Sequence, residues 1–399
     1  MNPRPSATIG RDAPDFALQR AHEQNVAAIE LWVTDALGAL HVVEVPSESL
    51  EDVLADGFFA GPSLASALSP TGAREELYLV ADPMSFQHVS RQRRSARLIC
   101  EVQHADGTPW PLCVRSRLKS VLGRVAADGA TFYLGATSTQ RWLEAPLAMT
   151  PLTAPQRQQQ LAEETARGLD ALSIPWRSHR RVAGDLRDPS RWIFELDLVD
   201  PLTLADSIVS LRRLAEVAAH QDGAGVTWAP FPWQAVSRAT LDLSLTRFSA
   251  LEGPSSTLSD PLQPDGLSLT ARAIARALVA ELGPLSLIMR ATVDSYLRPD
   301  PVTIEASPMS RSDSGAALWV AGADASSNPY LLAAALVFIA HRGALRAAGS
   351  DEPERQEPQA PRALIEAARL AEESATLLEM LGPELASGLV LRARSDASG

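Results

Sequence analysis

Apolar residues recur at three- and four-residue spacing through Leu204 to Ala219. Ile208, Leu211, Leu214, Ala215 and Ala218 fall on one stripe, which predicts a long amphipathic helix. Gln156 to Leu172 is rich in strong helix formers and predicts a second. Further helices are expected at about 116–126, 267–282, 329–344 and 362–381, the last stopped by Gly382-Pro383. Trp192 to Leu198 alternates with period two and predicts a strand. Ala28 to Val45 reads as strand, turn, strand, hinged at Asp35-Ala36-Leu37-Gly38. Strands are also expected at 77–80, 96–102, 130–134, 226–228 and 240–245, with a turn at Asp106-Gly107-Thr108-Pro109. The class is α+β: a small sheet-rich domain over 1–114, then a larger domain over 115–399 whose sheet is backed by long helices. The charged, proline-rich stretch 351–361 reads as a solvent-exposed linker before a closing helix over 362–385.

Composition narrows the function classes. The chain has 399 residues, 46% hydrophobic, enough to bury a large core. A net charge of −12 argues against nucleic acid or an anionic membrane as partner, because phosphates would be repelled. The basic clusters Arg91, Arg93, Arg94, Arg97 and Arg177, Arg180, Arg181 then read as solvated or ion-paired faces. Lys119 is the only lysine, and nothing around it resembles a phosphate-binding or Schiff-base context. Cys100 and Cys113 have no metal-type spacing and read as small buried hydrophobes. The N-terminus lacks the apolar run of a signal peptide, and the longest apolar stretch, Leu331 to Ala340, is too short to span a bilayer. The expectation is a soluble cytoplasmic protein.

Residue types alone give little chemistry. Histidines 22, 41, 88, 104, 179, 220 and 341 show no pair at ligand spacing. Ser116-Arg117-Leu118-Lys119 matches a short serine–lysine string without its companion motifs and reads as the first turn of a helix. No glycine-rich phosphate loop is present. Glu195 and Asp197 would share one face of a strand, with Leu196 and Leu198 on the other, which periodicity alone reads as a solvated sheet face.

A run of fragments in fixed order adds more. These are Glu30-Leu31-Trp32-Val33-Thr34-Asp35-Ala36-Leu37-Gly38, Leu79-Val80-Ala81-Asp82-Pro83, the Asp106 turn and Arg115 to Lys119. Pro201 to Asp206, Ala291-Thr292-Val293-Asp294-Ser295-Tyr296-Leu297-Arg298 and Asn328-Pro329-Tyr330-Leu331 follow. Together they resemble the signature segments of the glutamine synthetase family, over nearly the whole chain. The resemblance implies a β-grasp N-terminal domain and a larger domain with a curved antiparallel sheet. It also implies assembly into rings, as a homo-oligomer or as a mixed oligomer with a catalytic paralogue.

The same resemblance shows what has changed. The family holds divalent metals with carboxylates and one histidine, because hard cations need oxygen donors and negative charge, and the metals bridge the ATP phosphates. The matching positions here are Thr137, Thr139, Arg181, Ile193, Thr240 and Trp319; only Asp324 survives from the last of those strands. An arginine in place of a carboxylate would repel a cation. Tyr296 and Arg298 match a segment whose arginine contacts the amino-acid substrate, so they are the candidate substrate-binding residues. The leading expectation is a glutamine synthetase-like protein without glutamate–ammonia ligase activity, acting as a structural or regulatory subunit or as a binder of a small carboxylate, with no cofactor. The alternative is a remodelled ATP-dependent amide ligase of γ-glutamyl type. Its magnesium site would have moved two residues along each strand to Glu195 and Asp242, which share a face with Ile193 and Thr240.

Overall fold

A computed structural model describes residues 13–72, 74–90, 93–143, 154–182, 190–231, 238–249, 257–297, 302–308, 316–347 and 361–398. The chain divides into two compact units, Met1–Ser116 with Asp170–Ile174, and Arg117–Leu169 with Pro175–Gly399.

In the first unit, α1 (Ala13–Glu23), α2 (Leu50–Asp56) and α3 (Gly61–Leu68) accompany five strands: β1 (Ala28–Thr34), β2 (Leu40–Pro46), β3 (Phe58–Phe59), β4 (Leu77–Ser90) and β5 (Ser95–His104). Their order is β2-β1-β5-β4-β3, with β1 and β5 parallel and the other neighbours antiparallel. Alternation sends Ile29, Leu31, Val33, Leu98, Cys100 and Val102 into one core with Ala17 and Ala21 of α1. The expected Asp35 hinge is a side-chain-stapled turn: its Oδ1 accepts from the amides of Leu37 and Ala39, each at 2.9 Å. Both cysteines are buried and unbridged.

After α4 (Val114–Ala127), the second unit is built on seven strands: β6 (Ala130–Leu143), β7 (Trp176–Arg181), β8 (Arg191–Val199), β9 (Gly225–Thr227), β10 (Thr240–Ser249), β11 (Thr303–Pro308) and β12 (Ala316–Asp324). The order is β11-β12-β10-β6-β8-β7, with β9 alongside the end of β6, and every pair is antiparallel. Helices α5 (Ala154–Ala171), α6 (Pro201–Gln221), α7 (Leu269–Ala280), α8 (Leu282–Met289) and α9 (Pro329–Ala347) belong to this unit. The α+β class and the helix-backed antiparallel sheet agree with the sequence reading.

Local chemistry explains the helix starts. Asp200 caps α6 by accepting from the Thr203 amide at 3.0 Å, and Pro201 occupies the first turn. Asn328 does the same for α9, accepting from the amides of Tyr330 and Leu331, with Pro329 following. Tyr330 to Ala340 is buried throughout. Among the described residues no helix is long and apolar enough to cross a membrane.

The chain's end differs from expectation. The expected closing helix is two, α10 (Leu364–Glu373) and α11 (Ala375–Leu381), and a further helix, α12 (Pro383–Ser398), follows the expected stop. Ser374 breaks the first pair because its side chain accepts from the Leu377 amide, turning a mid-helix residue into a cap. Gly382, at φ 80°, reverses the chain before Pro383 starts α12. The expected linker falls, but for Pro361, outside the described residues.

Candidate functional site

One face of the second sheet is closed by the helices and the other is open. Phe132, Leu134 and Ala136 of β6, Trp192, Phe194 and Leu196 of β8 and Leu241, Leu243 and Leu245 of β10 are buried on the helix side. The residues between them therefore point to the open face. Register then decides which side chains meet. Thr137 lies directly between Asp242 on β10 and Glu195 on β8, so the two acids flank it in one row across three strands. Thr139 stands opposite Ile193, and Thr240 opposite Asp324. Trp319 faces Ser244 on one side and Glu305 on the other. Five of the six metal-type positions, Thr137, Thr139, Ile193, Thr240 and Trp319, thus gather on this face.

Arg181 does not join them. A register shift in β7 between Trp176 and Ser178 pairs Arg181 with Trp192, a residue of the helix-side face, and puts Arg180 opposite Ile193. A one-residue slip turns every side chain over, so Arg180 is the guanidinium that reaches the site.

The two acids that flank Thr137 are already engaged. Glu195 accepts from the Ser178 hydroxyl at 2.8 Å and from the Arg180 guanidinium, and Arg177 pairs with Asp197 beside it. Desolvation is the largest single influence on Glu195 and pushes its pKa up. The bonds from Arg180 and Ser178, with the charges of Arg180 and Arg177, together outweigh it and hold the carboxyl below its usual range. Asp242 accepts from the Gly322 amide at 3.0 Å and from the Thr240 hydroxyl at 3.2 Å. Desolvation raises its pKa despite those bonds and the charge of Arg191.

Asp242 therefore costs stability when ionised, and the sign is definite. A folded pKa above the unfolded one gives a penalty that is full at neutral pH and vanishes below about pH 4. Asp242→Asn removes the charge, keeps the bond from the Gly322 amide on its oxygen and reverses the other, its NH2 donating to the Thr240 hydroxyl. Its melting midpoint is expected about 2 °C above the parent at neutral pH, the gain fading in acid; an unchanged or lower midpoint at pH 7 would refute this.

The surviving Asp324 is not directed at a ligand. It is 1% exposed, accepts from Arg238 at 2.6 Å and from the Ser295 hydroxyl at 2.5 Å, and Arg238 also donates to the Ser295 carbonyl at 2.7 Å. This knot fastens the end of β12 to the 3-10 turn Val293–Tyr296. Tyr296 is likewise committed, its hydroxyl donating to the Ser286 carbonyl of α8 at 3.3 Å. Arg298 lies outside the described residues.

Magnesium needs a near-octahedral set of oxygen donors, normally with one or two carboxylates free to bind it. The open face offers three threonine hydroxyls, an isoleucine, an indole, the acids Glu195 and Asp242 already bonded to their neighbours, and Glu305 two strands away from Asp242 beside Trp319. Among the described residues no cluster of three histidines, cysteines or acids could hold an ion. The residues present do not fit the family's metal pair.

They do enclose a cleft of about 220 Å³, lined among others by Gly135, Thr137, Arg177, Glu195, Leu198, Ser244 and Trp319. Gly135 is its floor: a β-carbon there would come within 2.8 Å of the Ser244 oxygen. Sequence reasoning missed Ser178, Arg180, Gly135 and Ser244 as site residues. The basic run 177–181, expected as a solvated or ion-paired face, is ion-paired at Arg177 and Arg180, and only the shifted pairing of β7 shows which arginine turns inward.

No protein-family profile matches the chain. Glutamine synthetase from Staphylococcus aureus strain MW2 is 28% identical over 353 residues, spanning 79% of this chain and 76% of that protein. Among solved structures, GmaS without ligand superimposes with a TM-score of 0.81 at 21% identity, covering 96% of this chain and 95% of its own. A novel glutamine synthase homologue gives 0.80 at 23% identity, with 94% of each chain covered.

Proposed function

We propose that the chain is a divergent member of the glutamine synthetase family, a ligase-family protein that has lost glutamate–ammonia ligation and binds a small carboxylated molecule without metal or ATP. The observation that supports this reading is the row Glu195–Thr137–Asp242. Where two divalent ions would have to sit, both acids are held by Arg180, Ser178, Thr240 and the Gly322 amide, and the position between them is a threonine. Stripping those partners to coordinate an ion would leave the Arg180 guanidinium beside a cation. Phosphoryl transfer depends almost wholly on metal positioning and charge neutralisation, and this face supplies neither. A structural or regulatory role in a ring, with copies of itself or with a catalytic paralogue, fits such a chain, since fold does not fix function.

Calorimetric titration with Mg-ATP, alone and with glutamate, tests the reading. No heat of binding and no phosphate release are expected; metal-dependent nucleotide binding in the micromolar range would overturn it.

A second reading is a remodelled ATP-dependent amide ligase of γ-glutamyl type, and one geometric fact favours it: the two relocated acids do flank Thr137 in a single row. The likeness to GmaS is compatible with it. Under this reading Mg and ATP are required, an amine and an acid together release phosphate, and Asp242→Ala abolishes that release. Light scattering of the purified chain, alone and mixed with a catalytic paralogue, tests ring assembly; a monomer under both conditions would exclude the subunit role.

A further inference from the structure

The cleft over Gly135 has opposite charges at its rim and apolar walls. Arg177 spends its Nε on Asp197 and is half exposed, so its terminal nitrogens remain available to the opening. Glu195 accepts one bond on each oxygen from protein, and a carboxylate can accept about four in all. Trp319 and Leu198 supply an indole and an isobutyl wall, and Thr137 and Ser244 add hydroxyls between the charged groups and the floor. A volume of about 220 Å³ falls below the roughly 300–1,000 Å³ of pockets that enclose drug-sized ligands, so the cleft is scaled to a small molecule.

We propose that this cleft binds a free α-amino acid with an apolar side chain, its carboxylate on Arg177, its ammonium on Glu195 and its side chain against Trp319 and Leu198. The inference deepens the metal-free reading above and rests on it. A lone cation would meet Arg177 and Arg180, and a lone anion would meet Glu195 and Asp197. Only a molecule carrying both charges satisfies the rim. A second carboxylate, as in glutamate, would have to lie toward the walls, where Leu198 and the indole face offer no cation. The cleft thereby selects against an acidic side chain. A site of this kind needs no ion, because the guanidinium provides bidentate recognition of the carboxylate directly.

The test uses the full chain in buffer containing EDTA. Calorimetry is run with leucine, methionine, phenylalanine and glutamate, and with isoamylamine and 4-methylpentanoate, which each lack one of leucine's charges. At least one apolar amino acid is expected to bind, and the single-charge analogues about tenfold or more weakly. Arg177→Gln, at an exposed position, is expected to weaken binding about tenfold with an unchanged melting midpoint; Trp319→Ala should weaken binding as well. Three results overturn the proposal: no heat from any amino acid at millimolar concentration, glutamate binding more tightly than the apolar set, or indifference to Arg177→Gln. Failure here is distinguishable from failure of the broader reading, because Mg-ATP is titrated in parallel. Silence toward both ligands removes the amino-acid site alone, whereas Mg-ATP binding removes its premise.

Discussion

Asp324→Ala is expected to lower the stability of the second unit by about 3–5 kcal/mol, because it leaves a buried guanidinium without its carboxylate. Arg238 and Asp324 are 3% and 1% exposed, meet at 2.6 Å, and are tied to Ser295 by both partners. The Arg238 guanidinium also lies 5.0 Å from the centre of the Phe231 ring, so it is packed as well as paired. Burial raises the Asp324 pKa in spite of Ser295 and Arg238, which means the pair does not recover its full desolvation cost. Two outcomes follow. Breaking the pair is severe, while replacing both members together, as Arg238→Met with Asp324→Leu, is expected to cost much less than the two single changes summed. Denaturant unfolding of the four proteins measures this; a single variant within about 1 kcal/mol of the parent would show that the knot is not structural.

Gly343→Leu is expected to cost about 2–3 kcal/mol or more through overpacking. Gly343 lies on α9 where that helix meets α7. A β-carbon alone would come within 2.8 Å of the Ala277 β-carbon and 3.1 Å of both the Ala273 carbonyl and the Ile274 α-carbon. These are backbone and stub atoms that cannot rotate away, unlike the Ser244 oxygen over Gly135. The helices must separate, and α9 is buried along most of its length, so separation opens a void elsewhere. Gly343→Ala should show a smaller loss of the same sign, and a leucine variant melting with the parent would refute the close approach.

Much of the frame was legible along the chain. The stripe through α6, the Asp35 hinge, the Asn328-Pro329 helix start and the alternation of β8 all came from periods and caps that depend on neighbours in sequence. The missed elements include the edge strand β7, the short helix α8 and the sixteen-residue α12 beyond the expected stop at Gly382-Pro383. Strand β7 hides in a basic run, and α8 starts where the expected helix over 267–282 ends, with no side-chain cap to announce a second one. Ser374 splits the closing helix by a local hydrogen bond that competes with helical pairing. At the site, the six altered positions were named from order and motif, and five do share the open face. Arg181 failed because face assignment in an edge strand hangs on a bulge, which leaves no trace in the pattern of residue types.

By itself the sequence determined the class of the fold and most of its elements, since these depend on residue identity and local periodicity, and its family resemblance marked the positions that carry hydroxyls, an indole and an aliphatic side chain. Tertiary structure alone decided what the remaining acids do. Strand register set Glu195 and Asp242 on either side of Thr137, the shifted pairing of β7 delivered Arg180 in place of Arg181, and burial locked Asp324 to Arg238. Those outcomes arise from pairing between segments far apart in the chain, where a shift of one residue exchanges the buried and open faces.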